Sequence, residues 1–368
     1  MTEIERYSRH YQLAGFGKQA QEQLAKSSVL VIGAGGLGCP VLQYLVAAGI
    51  GKIGIVDHDT IELNNLQRQV LYNTNEVGLP KAKVAAEKLR LLNPEIHISE
   101  YITYLSTENA VGLIEGYDVV VDCTDNFATR YLLGDACMLL DKPLVFGAIY
   151  QYEGQVAVFN VAGDNGVKTT YRHLFPVPPS QLDAPDCNTA GVLGVLPGTI
   201  GTLQATETIK ILTGIGKPLC NRLMTINLLD YTSLILDIPE NLSACPDRIP
   251  KSLQELEKTD YERVCGAESL LDIQTIDASQ FVKMADDRDV LIVDVRELDE
   301  NPRLTFPHVP IPLSALERNL WIIDRKKVVV VCQSGKRSQT AAGFIREKLG
   351  ETYQISHLEG GVMGLENA

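Results

Sequence analysis

The chain has 368 residues, of which 45% are hydrophobic and 21% are charged, and this composition is typical of a globular protein with two or three domains. Its formal net charge is −13 at pH 7, which excludes the broad basic surface that general nucleic-acid or anionic-membrane binding requires. The sequence contains neither a basic segment ahead of a short apolar run nor an uncharged stretch of about 18 residues, so we expect a cytoplasmic protein that binds no membrane.

Eight cysteines are scattered along the chain, and no two of them form a C-x-x-C pair. Such scatter argues against a disulfide scaffold and favours buried thiols with one or two reactive ones. Cys39, Cys123 and Cys137 lie in apolar segments, so we predict that they belong to the core. Cys187 and Cys332 do not lie within apolar segments, and they are the candidates for reactive thiols.

The first predicted elements are a polar N-terminal segment, a strand, a glycine turn and a helix. In the segment, residues 5–24, Arg6 and Arg9 are compatible with charges on a helix surface. The apolar run 29–32 predicts a strand, and helical spacing of apolar residues over 39–48 predicts a helix. Between them lie four glycines, three of which form a G-x-G-x-x-G pattern: Gly33, Gly35, Gly36 and Gly38.

A second apolar run, residues 53–56, ends at Asp57, about 20 residues beyond the glycines, where a nucleotide-binding βαβ unit places the carboxylate that binds ribose hydroxyls. The glycines let the backbone approach phosphates, and the helix N-terminus offers free N–H groups and a partial positive charge. A Walker loop would need Lys and then Ser or Thr after the last glycine, but Cys39 and Pro40 follow Gly38. The unit is therefore predicted to bind a nucleotide without being a P-loop.

The segment after Asp57 brings more polar side chains to the carboxyl end of the second strand, where open α/β sheets bind ligands. It contains two carboxylates, two amides and two cations: Asp57, Asp59, Asn64, Asn65, Arg68 and Lys81. A nicotinamide cofactor needs no such cations, whereas a triphosphate attacked at its α-phosphorus does, because negative charge grows there in the transition state. A NAD-dependent oxidoreductase, or a pair of solvated surface charges, remains the alternative.

These motifs resemble the adenylating enzymes that activate ubiquitin-like sulfur carriers, the MoeB and ThiF group related to ubiquitin-activating enzymes. The resemblance rests on GAGGLG, on DHDTIELNNLQRQ from Asp57 and on GLPK ending at Lys81, and it spans about residues 4–239. It implies a Rossmann-like nucleotide-binding adenylation domain with a mixed sheet. It also implies ATP as the nucleotide, with Asp57 on the ribose, Arg68 and Lys81 on the phosphates, and Asn65 close by.

The same resemblance implies a homodimer. Arg9 is the second arginine of the family's R-Y-x-R segment, which reaches the ATP of the neighbouring subunit. His10 stands where the family commonly has Gln, which is a minor departure.

Five further elements are predicted along the first domain: a helix at 81–92 and strands near 96–102, 118–122, 143–148 and 154–159. The strand that ends at Asp122 continues into Cys-Thr-Asp125 before another helix, so Asp125 is either an N-cap or a ligand at the carboxyl edge of the sheet. In the family the second Asp of D-C-T-D binds the Mg²⁺ on the triphosphate, and the resemblance implies that role for Asp125.

Residues 163–193 are polar, rich in proline and without periodicity, so they predict a long loop ahead of a helix at 194–212. Cys187 lies inside this loop, ahead of the helix N-terminus, where a thiolate is favoured. Because the family's cysteine falls in this loop, Cys187 is the candidate thiol of the adenylation domain. An incidental exposed cysteine is the alternative.

One departure from the family concerns a structural zinc, which MoeB-type relatives hold with two C-x-x-C pairs. The matching positions here are Thr170 and His173 in the loop, and Glu262 and Cys265 near the end of the domain. Because only one thiolate ligand remains, we predict that no zinc binds.

The C-terminal part of the chain starts afresh after a charged, irregular stretch, residues 243–275, which we predict to be a linker with a short helical piece. A helix at 276–285, a strand ending in Asp294 and a buried strand ending at Cys332 predict a second, small α/β domain. A loop and a helix follow Cys332, and the loop residues are Gln333, Ser334, Gly335, Lys336, Arg337 and Ser338. Backbone N–H groups and the two cations of this loop are expected to stabilise a thiolate.

This loop, with DVRE upstream and HLEGG downstream, resembles the rhodanese sulfurtransferases over about residues 277–364. Four residues separate Cys332 from Arg337, whereas phosphatase loops of the tyrosine-phosphatase type have five. By resemblance, the smaller loop suits a persulfide sulfur rather than a phosphate.

Together the two resemblances imply an adenylation domain at 1–242 and a rhodanese-like domain at 276–368. ATP and Mg²⁺ would serve to adenylate the C-terminal Gly-Gly carboxylate of a ubiquitin-like sulfur-carrier protein. Cys332, loaded as a persulfide by a cysteine desulfurase or by thiosulfate, would attack the acyl-adenylate, and Cys187 or another thiol would release the thiocarboxylate. A rhodanese domain that only docks, and a scaffold without enzymatic activity, are the alternatives.

Overall fold

The computed structural model describes residues 6–176, 191–240, 249–261 and 273–365. The described chain forms two compact units, and the second of them consists of residues 273–365. Each unit has its own sheet with helices packed on it, so the predicted α/β class is confirmed. Within the described part of the chain, no helix has both the length and the apolar character needed to span a membrane.

The first unit contains one eight-stranded sheet. Its strands are β1 (Ser28–Ile32), β2 (Lys52–Val56), β3 (His97–Tyr101), β4 (Val119–Asp122), β5 (Leu144–Tyr150), β6 (Glu153–Phe159), β7 (Arg222–Asn227) and β8 (Ser233–Asp237). They lie in the order β3-β2-β1-β4-β5-β6-β7-β8; the first five strands in this order are parallel, and the last three continue the sheet antiparallel. The central strands β1 and β4 are buried apolar runs, as expected where helices cover both faces of a parallel sheet.

Helices surround this sheet and position its carboxyl edge. They are α1 (Ser8–Tyr11), α2 (Gly17–Lys26), α3 (Gly38–Ala48), α4 (Lys81–Leu92), α5 (Ala110–Glu115), α6 (Phe127–Leu139), α7 (Tyr171–Leu174), α8 (Val195–Thr213) and α9 (Leu253–Lys258). α3 packs closely on α8, since a Cβ at Gly201 would lie only 2.5 Å from the Leu37 carbonyl oxygen. The core beneath contains Val31, Leu42 and Leu45, which are wholly buried.

The predicted elements up to residue 213 are present within one or two residues of their expected bounds, including the helix from Val195 to Thr213. No strand is predicted after residues 154–159 in the first domain, but β7 and β8 extend the sheet beyond β6. The side chains of β8 are exposed along its whole length, so its sequence lacks the alternation of buried and exposed residues that marks a half-buried strand.

Part of the predicted linker belongs to the first unit. Residues 249–261 contain the expected short helix, α9, whose Leu256 is wholly buried. The Tyr261 hydroxyl donates a hydrogen bond to Asp135 Oδ2 at 2.8 Å, and Asp135 lies on α6. This stretch is therefore packed on α6 rather than spanning open solvent.

The second unit contains a five-stranded parallel sheet. Its strands are β9 (Gln274–Ile276), β10 (Val290–Asp294), β11 (Val309–Pro310), β12 (Lys327–Val331) and β13 (Gln354–Leu358), in the order β11-β10-β12-β13-β9. Its helices are α10 (Ala278–Ala285), α11 (Lys336–Leu349) and α12 (Gly361–Leu365). Since β12 is the central strand and α11 begins five residues after it, Cys332 lies between a buried strand and a helix N-terminus.

Candidate active sites

The turn between β1 and α3 can be closed only by glycine at two positions. Gly33 has a φ of +96°, and a Cβ there would lie 2.6 Å from the Cys123 carbonyl oxygen. A Cβ on Gly38 would lie 2.0 Å from the Gly33 carbonyl oxygen. The turn therefore brings the N-terminus of α3 directly against the ends of β1 and β4.

A cleft of about 900 Å³, part of it open to solvent, lies at the carboxyl edge of the sheet. It brings together most of the residues that the sequence predicts for nucleotide binding: Gly33, Gly35, Gly36, Asp57, Asp59, Arg68, Lys81 and Asp125. Gly38 and Asn65 are not among the residues that line it. Gly38 acts by close packing, as described above, and Asn65 shapes the neighbouring loop.

Asp57 is held at the end of β2 by two backbone donors. Its Oδ2 accepts a hydrogen bond from the Ala34 N–H at 2.7 Å, and its Oδ1 accepts one from the Asp59 N–H at 2.8 Å. Burial raises the pKa of the Asp57 carboxyl above its ordinary 3.8, although the Ala34 N–H and the Lys81 charge oppose this shift. The carboxylate is thus fixed beside the glycine turn.

Lys81 begins α4 and points into the cleft from a largely buried position. Its side chain is 7% exposed, and its Nζ lies 2.9 Å from Asp59 Oδ2. Asp59 is about half exposed, so the pair is buried on the lysine side only. A backbone bond from the Lys81 N–H to the Asp59 carbonyl oxygen, at 2.9 Å, ties the two segments together.

Arg68 is the cation of the cleft that is not paired with any of the described carboxylates. Its Nη1 donates to the Asn64 carbonyl oxygen at 3.1 Å, and no acidic side chain lies within ion-pairing distance in the described ranges. Asn65 supports this loop: it is 7% exposed, and its Oδ1 accepts the Glu62 N–H at 3.2 Å. The result is a half-buried guanidinium at the cleft with free donor capacity.

Asp125 is an exposed carboxylate on the opposite wall of the cleft. It is not the N-cap of α6, because the Asn126 side chain accepts the Thr129 N–H at 2.9 Å in that role. The neighbouring Asp122 is buried, and burial raises the pKa of its carboxyl while Arg130 opposes this shift. Asp125 therefore has no capping role that would compete with ligand binding.

The cleft also contains residues that the sequence analysis did not single out. Tyr104 follows β3, and its ring packs edge-on against His58 with 5.1 Å between ring centroids. Arg130, on the first turns of α6, is 8% exposed and donates to the Thr124 carbonyl oxygen at 2.7 Å. Tyr104 could have been found from the rule that ligands bind beyond the carboxyl ends of parallel strands, since β3 is one of them.

Arg9 lies far from the cleft of its own chain. Its helix α1 is anchored by Tyr7, whose hydroxyl accepts a hydrogen bond from Asn93 at 2.8 Å, and by His10, whose Nδ1 lies 2.7 Å from Gln21 Oε1. Tyr7 also packs beneath Gly49, at the C-terminal end of α3. Because α3 is about 16 Å long and its other end forms the cleft, the exposed Arg9 is at the opposite end of this helix.

Cys332 forms the second candidate site, in the residues between β12 and α11. Its Sγ accepts the Gly335 N–H at 3.2 Å and lies 3.5 Å from Ser338 Oγ. Gly335 has a φ of +92°, and this left-handed conformation directs its N–H toward the sulfur. The whole residue is buried. The Gly335 N–H and the N-terminus of a long helix form a cradle that suits a sulfur anion.

Of the two cations predicted to stabilise the Cys332 thiolate, Arg337 is paired with a carboxylate. Arg337 binds Glu300 with both guanidinium nitrogens, Nη1 to Oε1 and Nη2 to Oε2, each at 2.6 Å. Its charge is thereby compensated, because a planar guanidinium matches a carboxylate with two parallel hydrogen bonds. The side chain of Lys336 lies outside the described atoms.

The three cysteines that are predicted to belong to the core lie within the described residues. Cys39, Cys123 and Cys137 are buried, which confirms their prediction as core residues. Burial raises the pKa of the Cys39 thiol to about 12 and raises the pKa of Cys123 and Cys137 as well, so these thiols stay protonated. Cys187 lies outside the described residues.

The positions that match the family's zinc ligands are only half described, since Glu262 and Cys265 lie outside the described residues. Thr170 and His173 form the N-cap of α7, where the Thr170 N–H donates to His173 Nδ1 at 2.9 Å. Thr170 Oγ1 lies 3.0 Å from the same nitrogen. His173 Nδ1 is therefore engaged by Thr170, and Thr170 itself is not a ligand of the kind that structural zinc sites use.

Known proteins are similar to the chain along most of its length. The ThiF family profile matches residues 7–247, and the profile described as "Rhodanese-like domain" matches residues 277–368. The sulfur carrier protein adenylyltransferase of Thermus thermophilus is 49% identical over 72% of this chain and 97% of its own length. "Adenylyltransferase and sulfurtransferase MOCS3-1" of Zea mays is 39% identical over 94% of this chain and 78% of its own length.

Two further relatives extend this pattern. "Probable adenylyltransferase/sulfurtransferase MoeZ" of Mycobacterium tuberculosis is 36% identical over 98% of this chain and 92% of its own length. A crystal structure of E. coli MccB with ATP shares the fold, with a TM-score of 0.57 and 24% identity over 65% of this chain and 74% of that chain. The predicted resemblance is confirmed: the chain belongs to the ThiF family, in the group of adenylyltransferases and sulfurtransferases that also carry a rhodanese-like domain.

Proposed function

We propose that this chain uses ATP to adenylate the C-terminal Gly-Gly carboxylate of a ubiquitin-like sulfur carrier and then delivers sulfur from Cys332 to that carboxyl group. The observation that carries the proposal is the cleft, in which Arg68 is uncompensated and Lys81 is buried beside a glycine turn. Family membership supports both half-reactions, because the relatives are named for adenylyl transfer and sulfur transfer.

In the first half-reaction, two anions must be brought together: the carrier carboxylate, which is the nucleophile, and the triphosphate of ATP. The carrier carboxylate attacks the α-phosphorus of ATP, and the bond to pyrophosphate breaks. Asp57 would accept hydrogen bonds from the ribose, while Arg68 and Lys81 would stabilise the charge that grows on the phosphates. The glycine turn would admit the phosphates close to the N-terminus of α3.

Mg²⁺ fits the carboxylate that the cleft leaves free. Asp57, His58 and Asp59 bring possible ligand atoms within 4.8 Å of one another, but Asp57 is already bonded to backbone N–H groups and Asp59 to Lys81. Asp125 has no such partner among the described residues and would hold the ion together with phosphate oxygens. When bound, the ion would supply positive charge to the triphosphate.

The second half-reaction uses the sulfur cradle around Cys332. A persulfide on Cys332 attacks the acyl-adenylate, a carbon–sulfur bond forms and AMP leaves. A second thiol, for which Cys187 is the candidate, then attacks the Cys332 sulfur of the resulting acyl disulfide. The carrier thiocarboxylate leaves, and a disulfide remains between the two thiols until an external thiol reduces it. The Gly335 N–H and the N-terminus of α11 would stabilise the sulfur anion before each attack.

A homodimer would complete the cleft. Arg9 is exposed and lies at the far end of α3 from its own cleft, so it is placed to serve a different copy of the chain. In that arrangement its guanidinium would add a third cation to the phosphates.

One observation favours an alternative for the second unit. Cys332 is fully buried, and the described cations beside it are engaged with carboxylates, as a domain used only for docking would allow. No observation gives comparable support to a NAD-dependent oxidoreductase, because a nicotinamide cofactor needs no cation such as Arg68 on its phosphates.

Pyrophosphate exchange tests the adenylation assignment. In Arg68→Ala and in Lys81→Ala, carrier-dependent ATP–pyrophosphate exchange should fall by about 100-fold to 1000-fold, since each removes a positioned donor at a developing charge. The control is Lys83→Ala, which removes an exposed lysine on the same helix that does not line the cleft. Near-normal exchange in both cleft variants would refute the assignment, and absence of exchange in the wild type would favour the oxidoreductase.

A further inference from the structure

Two arginine side chains near the Cys332 loop, Arg296 and Arg337, are already paired with carboxylates. Arg296 is buried and donates three hydrogen bonds to Asp294, of which the shortest, from Nη2 to Oδ2, is 2.7 Å. Its remaining nitrogen donates to the Pro302 carbonyl oxygen and, at 3.1 Å, to Gln333 Oε1. Arg296 therefore has its charge compensated and its donors occupied before any substrate arrives.

Arg337 is compensated in the same way by Glu300. The side chains of this pair are 24% and 26% exposed, so solvent screens them less than it screens a surface ion pair. The two hydrogen bonds to Glu300 raise the pKa of Arg337. In the chain, Arg337 lies between Gly335 and Ser338, and both of these residues contact the Cys332 sulfur. Arg337 is thus close to the sulfur but turned toward a carboxylate.

The loop that carries Glu300 is fixed against the cradle by a second contact. Gln333 donates from Nε2 to the Asn301 carbonyl oxygen at 2.9 Å, next to Glu300 in the chain. The Glu297 N–H also donates to Glu300 Oε1 at 2.9 Å, which orients the carboxylate. Glu300 is therefore held in place independently of Arg337.

The two classes of sulfur donor, thiosulfate and persulfides, differ in how much positive charge they require around the Cys332 sulfur. Thiosulfate carries two negative charges, and its attack by a thiolate releases sulfite, which is also doubly charged. A persulfide carries at most one negative charge and releases a thiolate. A free guanidinium near the sulfur would favour the first donor much more than the second, because charge-assisted hydrogen bonds are the strong ones.

We propose that Glu300 determines the sulfur-donor preference of this site: by holding Arg337 away from the Cys332 sulfur, it disfavours thiosulfate and leaves the site to persulfide donors. This inference rests on the proposed function and refines its sulfur-transfer half. In both cases the Cys332 thiolate attacks the outer sulfur of the donor, the donor S–S bond breaks, and a persulfide remains on Cys332. Glu300 is a positioning residue, since it acts through Arg337.

The test compares loading of Cys332 by thiosulfate and by cysteine persulfide in the full-length protein. The carboxylate and ammonium charges of cysteine persulfide cancel, so only its persulfide group contributes a net negative charge. Loading is measured as the mass of one added sulfur atom in single-turnover mixtures without an acceptor. In Glu300→Gln, the rate with thiosulfate should rise about tenfold relative to the rate with the persulfide, as expected for one charge-assisted hydrogen bond gained by the anion. Asp299→Asn is the matched control, because it removes the same charge from the adjacent exposed position.

The decisive quantity is the ratio of the two rates, which a merely structural role would leave unchanged. The gain should be absent from Glu300→Gln/Arg337→Gln, because the released guanidinium produces it. An unchanged ratio in Glu300→Gln, or an equal change in Asp299→Asn, would overturn the inference; Glu300→Ala provides a second release of Arg337 if the first variant folds poorly. If the wild type is loaded by neither donor, the proposed sulfur transfer itself is wrong, whereas wild-type loading with an unchanged ratio refutes only the role of Glu300.

Discussion

The sulfur of Cys332 and the cations of the nucleotide cleft belong to different units, so a change at one residue can separate their chemistries. Cys332→Ser keeps a small polar side chain in the cradle but removes the atom that can carry a persulfide. We expect this variant to retain carrier-dependent pyrophosphate exchange, to lose thiosulfate:cyanide sulfur transfer and to yield no carrier thiocarboxylate. Carrier thiocarboxylate formed by Cys332→Ser from a sulfide-free donor would instead establish the docking alternative.

Cys187→Ala provides a comparison within the same reaction. Its proposed task begins only after the acyl group has left AMP, so both partial activities should persist while thiocarboxylate formation is impaired. The carrier mass distinguishes the outcomes, because replacement of one carboxyl oxygen by sulfur increases it. Normal thiocarboxylate formation by Cys187→Ala would assign the resolving step to another thiol.

For individual residues, the sequence predicts the nucleotide cleft better than it predicts the sulfur site. Asp57, Arg68 and Lys81 follow strands or turns whose positions local patterns reveal, and the strand ends bring them together. The Arg337–Glu300 pair joins residues 37 positions apart, and no local pattern encodes such a contact. Sequence therefore placed a cation near the sulfur but could not show that its charge is already compensated.

A buried cluster ties three helical elements of the first unit together. Arg172 of α7 binds Asp135 of α6 through two hydrogen bonds, at 2.8 and 3.0 Å, and the side chains of both residues are 1% exposed. Tyr261, just beyond α9, donates to the same carboxylate. This cluster joins the segment around Thr170 to the segment before Glu262, which are the two segments that a zinc ion would join in MoeB-type relatives.

We therefore expect the purified protein to contain less than one zinc ion per chain and to keep its Tm in chelator. Tyr261→Phe should instead lower stability by about 1 kcal/mol, because it removes one buried hydrogen bond. The corresponding fall in Tm is only a few degrees, which calorimetry resolves. Stoichiometric zinc whose removal lowers the Tm would refute the expectation, and an unchanged Tm in Tyr261→Phe would show that the cluster does not depend on this bond.

At the scale of elements, the strand–turn–helix core was predictable because its apolar runs are short, buried and bounded by glycines. The hairpin of β7 and β8 was not predictable, although Leu234, Ile235 and Leu236 form an apolar run that favours a strand. These side chains are each half exposed, so burial does not impose a pattern on them. Their place in the sheet follows from pairing with β7 and not from their own periodicity.

The proposed dimer leads to a prediction for the whole molecule. Arg9→Ala and Arg68→Ala should each abolish pyrophosphate exchange, but a mixture in which subunits re-associate should recover about a quarter of wild-type exchange. Random pairing makes half of the dimers mixed, and each mixed dimer contains one cleft with both arginines. The measurement is exchange activity before and after subunit exchange, with dimer formation followed by light scattering.

The matched control for this mixture is Arg68→Ala with Lys81→Ala. Both residues line the cleft of their own chain, so no mixed dimer contains an intact cleft and exchange should stay absent. Equal recovery in both mixtures would contradict the assignment of Arg9 to the partner's cleft. A wild-type protein that stays monomeric while it catalyses exchange would contradict it as well.

The order of strands in the first sheet also has a consequence for synthesis on the ribosome. β1 acquires β2 on one side soon after it emerges, but its other side stays open until Val119–Asp122 has emerged from the ribosome. At ordinary elongation rates this interval lasts about 5 to 20 s, during which an apolar strand edge is available to other nascent chains. The emergence of β4 ends this exposure, and the next few residues add Thr124 and Asp125 to the wall of the nucleotide cleft. Pauses in translation before β4 has emerged from the ribosome would therefore increase aggregation, whereas pauses after its emergence would occur with the central strand already paired on both sides.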